Sequence, residues 1–405
     1  MKSWLTYICL FAGCIMTIPS CTNEEVIDVD TNKTSVELTL SYAGGGPMSR
    51  DVGSKDDADG LDYTTEEQCA LDINDIFILA FETGTDASGK ETLTLLDIVK
   101  DLTLVSDNDG LYYTQKIKGT MPQQGANKYI KFVVLTNLVQ NGIVVDGTTL
   151  GSKVLVETYL NGKKGASANS IYEELIYNYD AINGNKWIIE SRRIPMWGIS
   201  TATTLDQREI NMPNMFLYRA VAKVQIWVNN KQGIAGSDDT ATDDDFIIKS
   251  IIVKNANAQG YCVSKETPDP NINIQYTAAS VPTTVNKQSA NIIYTPTDGN
   301  VTYEIDGGSS VTLNAARQAY SDFIYLPEQI NIDSNTPITI DVVYSYNKKE
   351  YTGTINFKVN GTGDAFDVIR NHSYIFNINK IEEVTGVIYY VVDEWESATV
   401  NIPFN

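Results

Sequence analysis

The chain has 405 residues and carries 30 Lys plus Arg against 51 Asp plus Glu, a formal net charge of -21. Phosphate backbones reward clustered positive charge, so this balance argues against a nucleic-acid partner. At roughly 100–200 residues per domain the length suits two or three domains, and 42% hydrophobic with 20% charged residues is enough to bury ordinary cores. A single histidine, His372, removes most metal and acid–base chemistry, so no metal, no cofactor and no enzymatic activity are expected.

The first residues read as a secretory signal. Lys2 gives a positive start, and Trp4 to Ile18 runs without a charge over a stretch slightly short for a membrane span. The stretch ends Ile18-Pro19-Ser20-Cys21, which resembles a bacterial lipoprotein box and makes Cys21 the expected lipidation site. Phe11-Ala12-Gly13-Cys14 is a competing box that leaves a shorter apolar region. The run Thr22-Asn23-Glu24-Glu25 resembles the acidic patch that carries Bacteroidetes lipoproteins to the outer face of the outer membrane. Cys69 and Cys262 lie too far apart in sequence for a disulfide framework and read as buried small residues, a single bridge being the alternative.

Period-two alternation then dominates. Val36 to Tyr42 places Val36, Leu38, Leu40 and Tyr42 on one face, as a half-buried strand requires. Further strands are predicted at Ile73 to Phe81, Leu111 to Lys118, Tyr129 to Leu138, Phe246 to Lys254, Phe323 to Leu326, Ile338 to Tyr346, Tyr351 to Val359 and Tyr374 to Ile378. A single long strand is predicted from Phe216 to Val228. The best helix candidate is Ser170 to Tyr179, with a Ser cap and Glu173 three residues on. The break at Met212-Pro213-Asn214 suggests a boundary between two halves of β-sandwich size. The expected division is a signal peptide at 1–20, a lipidated leader with the first strand at 21–50, sandwiches at 51–213 and 214–385, and a terminal strand pair at 386–405.

No catalytic signature survives inspection. Asp28 to Thr39 lacks the glycine and the closing glutamate of a calcium loop, and Asp243-Asp244-Asp245 reads as a solvated run. His372 has no nucleophile elbow and is expected to shape the turn before Tyr374. The tryptophans at 187, 197, 227 and 395 are better suited to a core than to stacking on sugars. Asp239-Thr240-Ala241 resembles a Bacteroidetes O-glycosylation triplet, centred on Thr240.

Ile194-Pro195-Met196-Trp197-Gly198, Leu217 to Val224 and Arg370-Asn371-His372-Ser373-Tyr374, with the lipoprotein signal and a terminal strand pair, resemble the Bacteroidales fimbrillins, the lipoprotein pilins of type V pili. The resemblance implies two transthyretin-like β-sandwiches and export as a lipoprotein to the outer membrane and surface fimbria. It also implies removal of the first strand by an arginine-specific protease and polymerisation with other fimbrial subunits by donor-strand exchange. Two features of the residues agree with that mechanism. Arg50 is the sole arginine before Arg192 and sits in a Gly-rich connector, so a cut between Arg50 and Asp51 would free the first strand. Asp51 departs from the resemblance, since family members more often place a small residue there, and an acidic residue tends to slow trypsin-like enzymes. The last segment offers Ala398, Val400, Ile402 and Phe404 at period two, matching the first strand's face as a donor would. Terminal strands of any β-sandwich alternate in this way, and a linker arginine can be without significance. An uncut, lipidated anchor or minor subunit, and a surface glycan-binding lipoprotein, are the alternative roles.

Overall fold

The computed structural model describes residues 32–42, 70–105, 114–125, 128–179, 187, 192–205, 208–229, 246–265, 278–283, 287–288, 290–294, 302–305, 309–312, 317–319, 324–332, 334–346, 349–358, 364–382 and 387–394. The protein is all-β, as its alternation predicts. The first half contributes β1 (Lys33–Tyr42), β2 (Ile76–Thr85), β3 (Glu91–Val105), β4 (Thr114–Pro122), β5 (Tyr129–Thr136), β6 (Val144–Val145), β7 (Thr148–Thr149), β8 (Ile176–Asn178), β9 (Met196–Ile199), β10 (Thr203–Thr204) and β11 (Glu209–Arg219). The second contributes β12 (Val221–Asn229), β13 (Phe246–Lys254), β14 (Gln259–Tyr261), β15 (Ile292–Tyr294), β16 (Thr302–Ile305), β17 (Ser309–Thr312), β18 (Arg317–Ala319), β19 (Ile324–Pro327), β20 (Thr339–Tyr346), β21 (Lys349–Asn356), β22 (Ser373–Glu382) and β23 (Val387–Glu394). Two helices, α1 (Lys153–Gly162) and α2 (Ala168–Glu174), lie between β7 and β8.

The eight strands of the first sheet run β10-β5-β2-β3-β4-β1-β11-β9, and an added pairing of β5 with β9 closes the circuit. Two strands make the corners. The front of β3 pairs with β2 and its end pairs with β4, the change falling at a bulge where Asp101 has φ 53°. Gly119 of β4 admits that corner, because a Cβ there would lie 2.7 Å from the side chains of Leu102 and Val99. Likewise β11 pairs with β1 over Glu209 to Leu217, then with β9 through Tyr218 and Arg219.

In the second half, β12 and β22 lie at the centre of one sheet, with β19 and β18 on one side and β23 on the other, and β15-β13-β20-β21 form another. A small sheet of β14-β8-β6-β7 joins the two halves through the pairing of Gln259, Gly260 and Tyr261 with Asn178, Tyr177 and Ile176. One continuous buried cluster contains Val36, Phe132 and Trp197 of the first half together with Val224, Tyr344 and Phe376 of the second.

Several expectations are corrected. The strand predicted from Phe216 to Val228 is two strands, β11 and β12, separated at Ala220 and belonging to different sheets. The break at Pro213 lies inside β11, where Leu38 faces Met212 and Leu40 faces Met215. Pro213-Asn214 therefore occupies a bulge, a place where a missing N–H is tolerated, and the chain leaves the first sheet only at Ala220. The predicted helix at 170–179 starts and ends earlier. Ser167 accepts from the Ser170 N–H as its cap, and the chain after Leu175 becomes β8.

Candidate functional site

The first strand of the chain sits in the middle of the first sheet. β1 pairs antiparallel with β4 and parallel with β11, and only β12 with β22 repeats a parallel pairing among the described residues. Its inward face is Thr34, Val36, Leu38 and Leu40, none more than 1% exposed. The three apolar side chains each contribute about 1.5–3 kcal/mol by leaving water. Ser35, Glu37 and Thr39 on the other face are half-buried. Beside them Lys118 of β4 and Glu209 of β11 form an exposed ion pair at 3.7 Å across the strand, an interaction worth at most about 1 kcal/mol.

Val36, Leu38 and Leu40 are thus brought together as the sequence predicts. Tyr42 closes β1 opposite Leu217, and nothing further is described of its side chain. Alternation did not single out Thr34, a polar residue one step before the apolar face, although the same period reaches it. Cys21, Arg50, Asp51, Thr240 and the segment Ala398, Val400, Ile402 and Phe404 lie outside the described residues. By position, Arg50 falls in the connector between the end of β1 at Tyr42 and the 3-10 turn that opens at Ile73.

The three segments quoted from the sequence converge beyond the end of β1. The Ala220 N–H donates to Pro195 O at 2.8 Å, and Tyr218 and Arg219 pair with Trp197 and Met196. The Asn371 N–H donates to Val221 O at 2.9 Å, the Lys223 N–H donates to His372 O at 2.9 Å, and Asn371 Oδ1 accepts from the Arg219 N–H at 3.2 Å. Gly198 permits the approach of β9 to β11, since a Cβ there would lie 2.2 Å from Phe216 O. His372 Nδ1 hydrogen-bonds Arg370 O at 2.8 Å, within the turn it was expected to shape.

Two buried arginines fasten this junction. Arg370 pairs with Glu328 at 2.6 Å and donates to Tyr261 O at 2.8 Å and Cys262 O at 3.2 Å. Arg192 donates to Asn141 Oδ1, Tyr179 O and Asn178 O and stacks on Trp187 at 3.8 Å. Sequence reading missed both roles, because the acceptors are mostly backbone carbonyls distant in sequence. Trp187 and Trp197 are buried, at 2% and 0% exposure, and so cannot stack on a surface sugar. Cys262 is a buried free thiol whose pKa burial pushes up, as expected of a structural cysteine.

Among the described residues no group of His, Cys, Asp or Glu could hold a metal ion, and no helix is long and apolar enough to cross a membrane. No family model matches the chain, and no curated protein matches it. Solved structures similar to it come from Bacteroidales. They include a candidate cell adhesion protein of Parabacteroides distasonis (12% identity, 89% of this chain and 96% of that chain, TM-score 0.45). Another is a candidate cell adhesion protein of Bacteroides eggerthii (15%, 90% and 93%, 0.41). A third is a fimbrial assembly protein of Parabacteroides distasonis (12%, 89% and 96%, 0.37). At these scores the likeness assigns no activity.

Proposed function

We propose that the chain is a structural subunit of a cell-surface fimbria that supports adhesion. In this reading it is exported to the outer membrane as a lipoprotein on Cys21, cut between Arg50 and Asp51, and polymerised when the terminal segment of another subunit replaces β1. One observation carries the reading: among the described residues the one strand that precedes Arg50 fills the interior of the first sheet with a fully buried apolar face. A cut between Arg50 and Asp51 would leave that strand held only by non-covalent contacts, its backbone pairing and its buried face. Its loss would expose unpaired backbone on β4 and β11 together with an apolar slot, which an alternating strand of another subunit satisfies. Arg192, Arg219 and Arg370 are buried, at 1%, 7% and 0% exposure, and are shielded from the same protease, whereas Arg208, just before β11, is exposed. The role is that of an interaction protein without catalysis or cofactor. The test is Arg50→Ala, followed by surface polymer on gels of unheated samples. The variant should accumulate as full-length lipoprotein without polymer, and normal polymer from it would exclude cleavage as the switch.

A further inference from the structure

The slot that holds β1 is not matched to β1 along its whole length. Val36, Leu38 and Leu40 present only hydrocarbon to the core, but the fourth inward residue is Thr34, fully buried, and its Oγ1 has no hydrogen-bond partner among the described residues. Ser35 Oγ is in the same position. The backbone of this stretch is well paired: the Ser35 N–H donates to Arg208 O at 2.8 Å, Thr34 stands opposite Met121 of β4, and the Gln123 N–H donates to Asn32 O at 2.7 Å. The mismatch therefore belongs to the side chains. Met121, buried and directly opposite Thr34 on β4, makes that side of the slot apolar. A buried hydroxyl without a partner keeps its full desolvation cost, whereas an apolar group of the same shape removes it.

We propose that the Thr34 end of the slot selects an apolar side chain, so that β1 is a resident held less tightly than a strand of a second copy that is apolar throughout. The second part of this inference rests on the strand-exchange reading. Set in register with the four inward residues Thr34, Val36, Leu38 and Leu40 rather than with Val36 to Tyr42, the segment Ala398, Val400, Ile402 and Phe404 meets the requirement in either direction: parallel to β1 it brings Ala398 to the Thr34 position, and reversed it brings Phe404. Thr34 is then a specificity-determining position, whose hydroxyl makes the self strand replaceable.

The experiment compares wild type with Thr34→Val, which keeps the shape and removes the hydroxyl, and with Thr34→Ser, which keeps the hydroxyl. In the uncut full-length chain Thr34→Val should melt at a higher temperature than wild type and Thr34→Ser should not. An equal or lower melting temperature for Thr34→Val overturns the selection of an apolar group. In full-length chain cut at Arg50, release of the β1 segment is followed by mass spectrometry in the presence of a peptide spanning residues 386–405. Release should be about tenfold slower for Thr34→Val, and an unchanged or faster rate overturns the role of Thr34 in replacement. Wild-type chain that keeps its cut segment at every peptide excess refutes strand exchange instead, and the melting comparison still decides whether the slot prefers an apolar residue.

Discussion

Glu328 and Arg370 form a pair reached by almost no solvent, with exposures of 1% and 0%. Removing one member of such a pair leaves a buried charge without its counterion, which costs about 3–5 kcal/mol. Glu328→Leu should therefore be destabilised by that amount in chemical denaturation, and a loss below about 1 kcal/mol would mean that the backbone carbonyls of Tyr261 and Cys262 suffice for Arg370. Asp75 supplies a second test. Its carboxylate accepts from the Val139 N–H at 2.9 Å and the Gln140 N–H at 3.2 Å, yet burial outweighs those bonds and, with Asp72 nearby, raises its pKa to about 6. The folded state then binds the Asp75 proton more tightly than the unfolded chain does. The associated stability is fully present below the ordinary carboxylate pKa and is lost as pH rises through about 6. Between pH 7 and pH 5 the melting temperature of wild type should rise relative to that of Asp75→Asn, and a difference independent of pH would contradict the shift.

At the scale of elements, alternation located β1, which keeps one phase against one core, and gave both ends of β13 in spite of the bulge between Ile248 and Ser250. It failed where an element changes partners. Along β3 the register slips between Ala80 and Phe81 opposite Asp97 and Leu95, and the strand then turns the corner at Asp101, so its inward phase is not constant and the pattern hides the longest strand. The join at Ala220 is hidden for the opposite reason. In the sequence Phe216, Tyr218, Ala220, Ala222 and Val224 keep one alternating phase, although the chain passes between sheets and the buried set changes from Met215 and Leu217 of β11 to Ala222 and Val224 of β12. In α1, Val156 and Leu160 are buried while Val154 and Leu155 are 69% and 48% exposed, and this Val-rich run masks the helical period. For β1 itself the expected consequence of truncation is direct. Leu38→Ala in the uncut chain should cost about 2–5 kcal/mol in denaturant unfolding, whereas Thr39→Ala on the half-buried face should cost much less. Equal effects would mean that β1 is not seated in the core.

At the scale of the whole molecule, the two halves repeat one device: the first strand of each lies parallel to a late strand, β1 with β11 and β12 with β22. The halves differ in how the first strand is attached. β12 follows β11 after a single residue, Ala220, whereas β1 is followed in sequence by the segment that contains Arg50. The proposed exchange accordingly concerns the first half. If the terminal segment is the incoming strand, Ile402→Asp carries a charge into an apolar slot and should abolish polymer while the uncut monomer melts as wild type. A collapsed monomer with normal assembly of the survivors would make that segment an internal strand. The central claim, that β1 is present in the monomer and absent from the polymer, is tested most directly by the intact mass of subunits taken from surface polymer. The expected mass begins at Asp51 and carries no lipid. Polymer whose subunits still begin at a lipidated Cys21 would contradict the account.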